Sequence, residues 1–182
     1  MNQAQQIYGM PAEGPQKKVR DHMVEWVQDY IRHAPFAVMA SSNSEGHCDA
    51  SPKGGPPGFV KVLDDRRLVI PDVKGNRLFQ TYENIETNPF VGLFFLIPGI
   101  DATVRVNGTV AVLRPGDDEF ERLVPSVFSP DEAPDVQQLL LLEVAESYSH
   151  CPRALRESKL WDTSVIQSHL DERPISQWIP GT

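Results

Sequence analysis

The chain is short of cysteine, of positive charge and of long apolar runs, and each shortage removes a class of protein. Its two cysteines, Cys48 and Cys151, stand far apart with no CxxC or other metal-like spacing. They read as reduced thiols in a cytoplasm, with a disulfide left open by sequence. Lys and Arg number 17 against 25 Asp and Glu, a formal charge of -8, which argues against a nucleic-acid partner because such proteins normally show a basic face. Any anion site must therefore be local, a few cations against an acidic background. The longest apolar run, Phe90 to Ile97, is far too short to span a bilayer. The opening MNQAQQIYGMPAEGPQ has neither the basic start nor the apolar stretch of a secretory signal. A cytoplasmic location without membrane contact is the expectation. No internal repeat or low-complexity tract is present, and no metal-ligand constellation is visible. The carboxylates Asp49, Asp64, Asp65 and Asp72 show no pairing that would mark an acid–base dyad.

What remains is an ordinary globular balance. Of 182 residues, 40% are hydrophobic and 23% charged, enough to bury a real core in what is most simply one domain. Apolar residues at near-helical spacing from Val19 to Ile31 predict an amphipathic helix over 15–33, stopped at Ala34 by Pro35. Phe36 to Ser41 reads as a buried strand, turned by Asn43-Ser44-Glu45-Gly46 into a more polar strand, His47 to Ser51. Short strands follow at Phe59–Leu63 and Arg67–Pro71, then a helix carrying Leu78, Phe79, Tyr82 and Ile85 and ended by Pro89. The continuous run Phe90–Ile97 predicts a strand buried on both faces. Thr103–Leu113 alternates cleanly, with Val104, Val106, Val110 and Val112 on a core face and Thr103, Arg105, Asn107 and Thr109 on a polar one. Gly108 in its middle suggests a bulge or a close backbone approach. Asp117, Asp118 and Glu119 open a short helix with acids at its positive end, and Ser126 to Asp135 is a proline-broken loop. Pro152 suits the first turn of a further helix.

The chemistry gathers between His47 and Arg77. The loop Ser51-Pro52-Lys53-Gly54-Gly55-Pro56-Pro57-Gly58 holds one cation among residues with little side chain, so backbone N–H groups and a hydroxyl can approach an anion closely. A second loop, Asp72-Val73-Lys74-Gly75-Asn76-Arg77, ends in a good N-cap, Asn76, which would bring a helix N-terminus, Lys74 and Arg77 to one small volume. Gly-Pro clusters between strands are more often plain turns, and a lone Lys in one is usually solvated. On composition alone a phosphate site and a pair of turns both stand.

The run SPKGGPPGFVKVLDDRRLVIPD, then GNR, NIETNPFVGLFFLIPG and TVRVNGTV resembles the FMN-binding split-barrel family related to pyridoxamine 5'-phosphate oxidase, over roughly Pro35 to Trp161. The resemblance implies a mainly β fold with flanking helices: an antiparallel, Greek-key-like split β-barrel. It implies residues 1–34 as an N-terminal segment and helix packing on the barrel, 35–161 as the FMN-binding barrel and 162–182 as a C-terminal tail. Val136 to Tyr148 favours helix by propensity, whereas the family has a closing barrel strand there, and the strand is the reading adopted. FMN is the implied cofactor. Ser51 and Lys53 would meet its phosphate or ribityl chain, and Asn76 and Arg77 would complete the anion pocket. The backbone of Pro71 and Asp72 would meet the pyrimidine edge. Arg105 is a further candidate for phosphate or ring edge, with a surface ion pair as the alternative. Trp161 resembles a late aromatic that packs by the flavin across a dimer, or it is a core or interface anchor. His150 and Cys151 are read as structural, with Arg153 a candidate neighbour of the cofactor, because adjacent residues point in different directions.

The implied function is an FMN-dependent oxidoreductase, homodimeric, acting on a small molecule and reduced by NAD(P)H or an electron-transfer partner. A non-catalytic flavin or haem carrier and a deazaflavin-dependent reductase are the alternatives. Pyridoxamine 5'-phosphate oxidase activity itself is not expected. The tail LDERPISQWIPGT approaches the oxidases' C-terminal arginine, leucine and proline only at Arg173-Pro174, with the leucine missing.

Overall fold

The computed structural model describes residues 2–10, 18–73, 78–129, 131 and 136–172. After a short exposed helix α1 (Gln3–Tyr8), helix α2 runs over Glu25–His33. Val27 and Ile31, one turn apart, are buried with Met23, and the helix ends at Ala34, whose extended backbone suits the residue before a proline. The helix expected from residue 15 is shorter than its pattern. Residues 19–24 are not helical. Arg20 exchanges backbone hydrogen bonds with Ser147 at 3.0 and 2.8 Å, and Met23 N–H donates to Asp65 at 2.7 Å. Helical spacing placed Met23 inward, but Val19 is exposed, and the backbone here bonds Ser147 and Asp65 instead of continuing the helix.

Seven strands follow: β1 Phe36–Ser42, β2 Cys48–Gly54, β3 Lys61–Val62, β4 Arg67–Val73, β5 Phe90–Leu96, β6 Thr103–Leu113 and β7 Val136–His150. They form one antiparallel sheet in the order β2-β1-β5-β6-β7-β4-β3. Helix α3 (Gln80–Thr87) joins β4 to β5, α4 (Asp118–Val127) joins β6 to β7, and α5 (Arg153–Glu157) and α6 (Thr163–Glu172) come last. The β1–β2 turn is organised by Asn43, whose Oδ1 accepts from the N–H groups of Glu45 and His47.

Several boundaries differ from the sequence reading: β4 runs on through Asp72 and Val73, read as loop, and α4 continues through Val127, past the expected loop start at Ser126. Strand β2 continues through Gly54, so Ser51 and Lys53 stand on an edge strand and not in a loop. Paired Lys53 and Ala37 lie in register with the rest of the β1–β2 ladder. The strand expected over Phe59–Leu63 pairs only at Lys61 and Val62; Phe59 and Val60 are buried without joining a ladder.

Two apolar clusters share the sheet. The larger gathers Met23, Val27 and Ile31 of α2 with Met39, Leu68, Ile70, Leu93, Phe95, Val104, Val106, Leu140 and Leu142. The smaller places Phe120, Leu123 and Phe128 against Val69, Leu139 and Leu141. Successive leucines of β7 therefore point into opposite cores, as a period of two requires. It is β7 at Leu139–Leu142, and not β5, that is buried on both faces; β5 alternates buried with half-buried positions after an exposed Phe90. Gly108 carries both features expected of it. The β6–β7 register shifts beside it, and a Cβ there would stand 1.9 Å from the Glu143 carbonyl oxygen. Among the described residues, no helix is long and apolar enough to cross a membrane.

Candidate functional site

A cleft of about 330 Å³ opens where strands from the two ends of the sheet face each other without pairing. One wall is β2. Because a strand sends alternate side chains to one side, Asp49, Ser51 and Lys53 share a face, and all three are half-buried while their neighbours are exposed. Asp72 and Val73 at the end of β4, Gln137 at the start of β7 and residues Leu78–Tyr82 around the start of α3 form the rest of the lining. Helix α3 is fastened over β1 and β2 by Asn84 Nδ2, which donates to Ser41 Oγ at 3.0 Å, and Asn88 Nδ2, which donates to Ser42 Oγ at 3.1 Å. Thr81 Oγ1 donates to Asp49 Oδ2 at a longer 3.4 Å.

The two walls differ in charge chemistry. Asp72 is held: Gln138 Nε2 donates to its Oδ2 at 2.8 Å, and the Tyr82 phenol lies beside both side chains. Burial first, and then the Asp72 charge, push the Tyr82 phenol far above its ordinary value, so it stays a neutral donor. Lys53 has no such tie. Among the described residues its ammonium makes no hydrogen bond or ion pair, although it is half-buried. A lysine whose stem is half-buried at a cleft and whose charge has no partner there is available to an anionic ligand. The cleft thus offers an anion position at Ser51 and Lys53 and a fixed acceptor at Asp72.

A sequence model described as pyridoxamine 5'-phosphate oxidase matches residues 23–151, which include the whole sheet. The chain belongs to the pyridoxamine 5'-phosphate oxidase family. Solved structures share the fold at low identity. A provisionally named pyridoxamine 5'-phosphate oxidase of Lactobacillus delbrueckii superposes with a TM-score of 0.56 at 21% identity, covering 71% of this chain and 95% of that one. HupZ of Group A Streptococcus gives 0.53 at 17%, covering 70% and 93%. An FMN-binding protein of Syntrophomonas wolfei gives 0.51 at 11%, covering 68% and 86%. No curated protein matches. The seven-stranded antiparallel sheet with its flanking helices is this family's split barrel.

Of the family positions read from sequence, the structure brings Ser51, Lys53 and Asp72 into one cleft. Pro71 is half-buried on β4 beside it and pairs with Leu139. Asn76 and Arg77, with Lys74, lie outside the described residues. The helix they were to open is capped instead by Phe79, with no side-chain cap bond. Arg105 is not in the cleft. Its guanidinium lies 5.4 Å from the Phe94 ring and 5.9 Å from that of Tyr148, its neighbours in register on β5 and β7. Among the described residues the ion pair offered as its alternative is absent too, and cation–π contact stands in its place. Trp161 donates from Nε1 to the Ile100 carbonyl at 3.2 Å, and Arg156 pairs with Asp101 at 2.7 Å, so the segment around α5 docks on the β5–β6 turn. Arg153 pairs with Glu157 on the same helix.

Sequence reading passed over Phe79, Thr81, Tyr82, Gln137 and Gln138. Tyr82 and Phe79 fitted a helical core pattern, and a core aromatic and a cleft aromatic carry the same signal. Gln137 and Gln138 lay in a segment whose secondary structure was itself open; once Val136–His150 is a strand, Gln138 falls opposite Asp72 by register.

Proposed function

We propose that this chain is an FMN-dependent oxidoreductase whose cofactor phosphate is held at Ser51 and Lys53. The observation that carries the reading is Lys53: half-buried, facing a cleft, and without a counter-charge among the described residues. Membership of the family and the likeness to a protein described as FMN-binding support the choice of anion. The residues present fit the group. A hydroxyl and an ammonium on alternate positions of an edge strand suit a phosphate, while Asp72, fixed by Gln138 and Tyr82, suits a hydroxyl- or N–H-bearing part of the same ligand. When bound, the flavin supplies two-electron transfer, which protein side chains cannot. The chain's share is binding and orientation: Lys53 supplies charge, Asp72 an acceptor, and Tyr82 keeps its proton and so keeps Asp72 aligned.

The active form is a homodimer with the cofactor in the groove between barrels. The cleft is at the small end of the range for ligand sites, roughly 300–1,000 Å³, and one wall is an edge strand with a free side. A second copy would cover both. The substrate is a small organic molecule other than pyridoxamine 5'-phosphate, reduced flavin being formed by NAD(P)H or an electron-transfer partner. Pyridoxamine 5'-phosphate would need a second cluster of phosphate donors, and among the described residues the cleft has one unpaired cation.

An absorption spectrum of the purified protein, before and after incubation with FMN, tests the reading. Flavin bands that co-purify with the protein on gel filtration at the size of two chains are expected. A protein that stays colourless with excess FMN, or shows haem or deazaflavin bands instead, contradicts it.

A further inference from the structure

We infer that Phe79 is a ligand-contacting residue: its ring is the surface on which a planar aromatic ring of the ligand packs. The inference rests on the cofactor reading above and adds what that reading lacks, a residue that selects for the ring and not the phosphate.

Phe79 sits at φ 54 and ψ 16, a left-handed backbone. Glycine adopts it freely and asparagine tolerably, whereas a bulky side chain there is an outlier. The same position is the N-cap of α3, where Ser, Thr, Asp, Asn or Gly would satisfy an orphan N–H, and Phe79 caps nothing. Nor is the ring committed to the core. It is 49% exposed and meets Tyr82 edge-on, centroids 5.8 Å apart at 73°. Tyr82 in turn is half-buried beside Asp72 and Gln138. Backbone preference, capping and burial all favour another residue at this position, so the fold alone does not account for the ring. Unfavourable conformations that persist in this way cluster at ligand sites.

Its surroundings say what the ring would meet. Leu78, 63% exposed, and Val73, 50% exposed, line the same cleft and complete an apolar lip. Across the cleft stand Ser51 and Lys53. One apolar wall and one cationic wall fit an amphipathic ligand, a planar ring joined to a phosphate, better than inorganic phosphate or a sugar phosphate, which would leave the lip facing water.

The test is a set of three variants titrated with FMN by calorimetry, alongside Lys53→Ala, with unfolding midpoints measured in the absence of ligand. Phe79→Leu keeps a side chain of similar bulk and the same backbone demand but no ring, and should weaken FMN about three- to tenfold. Phe79→Tyr keeps the ring and should stay within about twofold of the parent. Phe79→Asn accepts the left-handed backbone and can cap α3, so its midpoint should equal or exceed the parent's while FMN binding weakens at least as much as in Phe79→Leu. The inference is overturned if Phe79→Leu binds like the parent, or if Phe79→Asn lowers the midpoint by more than about 4 °C, which would make the ring structural. Failure of the underlying reading looks different. In that case the parent does not bind FMN, or Lys53→Ala binds it as tightly as the parent does.

Discussion

Strands β2 and β7 belong to one sheet and obey the same alternation, yet one forms a cleft wall and the other the centre of the core. Strand β7 lies between β6 and β4, so both its edges are paired. Its leucines alternate between two apolar clusters, leaving none of Leu139 to Leu142 more than 7% exposed. Among the described residues, strand β2 pairs only with β1. Its inward positions are Asp49, Ser51 and Lys53, half-buried and polar. A strand with a neighbour on each side and apolar groups on each face has nothing left for a ligand. A strand at the edge, carrying partly buried polar groups, keeps backbone and side-chain capacity in reserve.

Stability measurements should separate the two strands most sharply. Leu142→Ala removes a fully buried side chain from β7 and should cost about 2–5 kcal/mol in denaturant unfolding. Ser51→Ala on β2 should stay within about 0.5 kcal/mol. Equal costs would mean that β2 is as much a part of the core as β7. Gly108→Ala probes the central ladder from its backbone. Its Cβ would meet the Glu143 carbonyl at 1.9 Å and Leu142 Cδ2 at 3.2 Å, so the two central strands must part or shift. A loss of about 1–3 kcal/mol is expected, and an unchanged midpoint would show that the bulge beside it absorbs a methyl group freely.

Much of this contrast could be read from the chain itself. The alternation of Thr103–Leu113 matched the bounds of β6 and put Val104, Val106 and Val110 in the core, although Thr103, read on the polar face, is buried as well. Leu139 to Leu142 could not be resolved that way. Four consecutive leucines carry no period, and a strand between two cores needs none, so the family resemblance decided what pattern could not. At the site, Lys53 and Ser51 were legible as an anion-friendly pair, but the edge strand was read as a loop. Glycine and proline at 52, 54 and 55 signal a turn, and an edge strand tolerates proline where a central one would not. The clamp on Asp72 was not legible. It joins residues 72, 82 and 138 through β4–β7 register, a long-range relation with no local mark.

A smaller effect than either core substitution is expected at Arg105, outside the cleft on β6. Arg105→Ala removes its contacts with Phe94 and Tyr148 and should cost about 0.5–1 kcal/mol in unfolding while leaving FMN affinity at the parent value. A fall in FMN affinity would return Arg105 to the cofactor, reached across the dimer.

The central claim is that the ammonium of Lys53, a half-buried residue of β2, is the cofactor's counter-charge, and titration of FMN into the parent and Lys53→Ala tests it most directly. A charge-assisted hydrogen bond contributes roughly 1.5–3 kcal/mol, so the variant should bind FMN about ten- to a hundredfold more weakly, with its unfolding midpoint unchanged. Equal affinity in the two proteins would contradict the account and place the phosphate elsewhere.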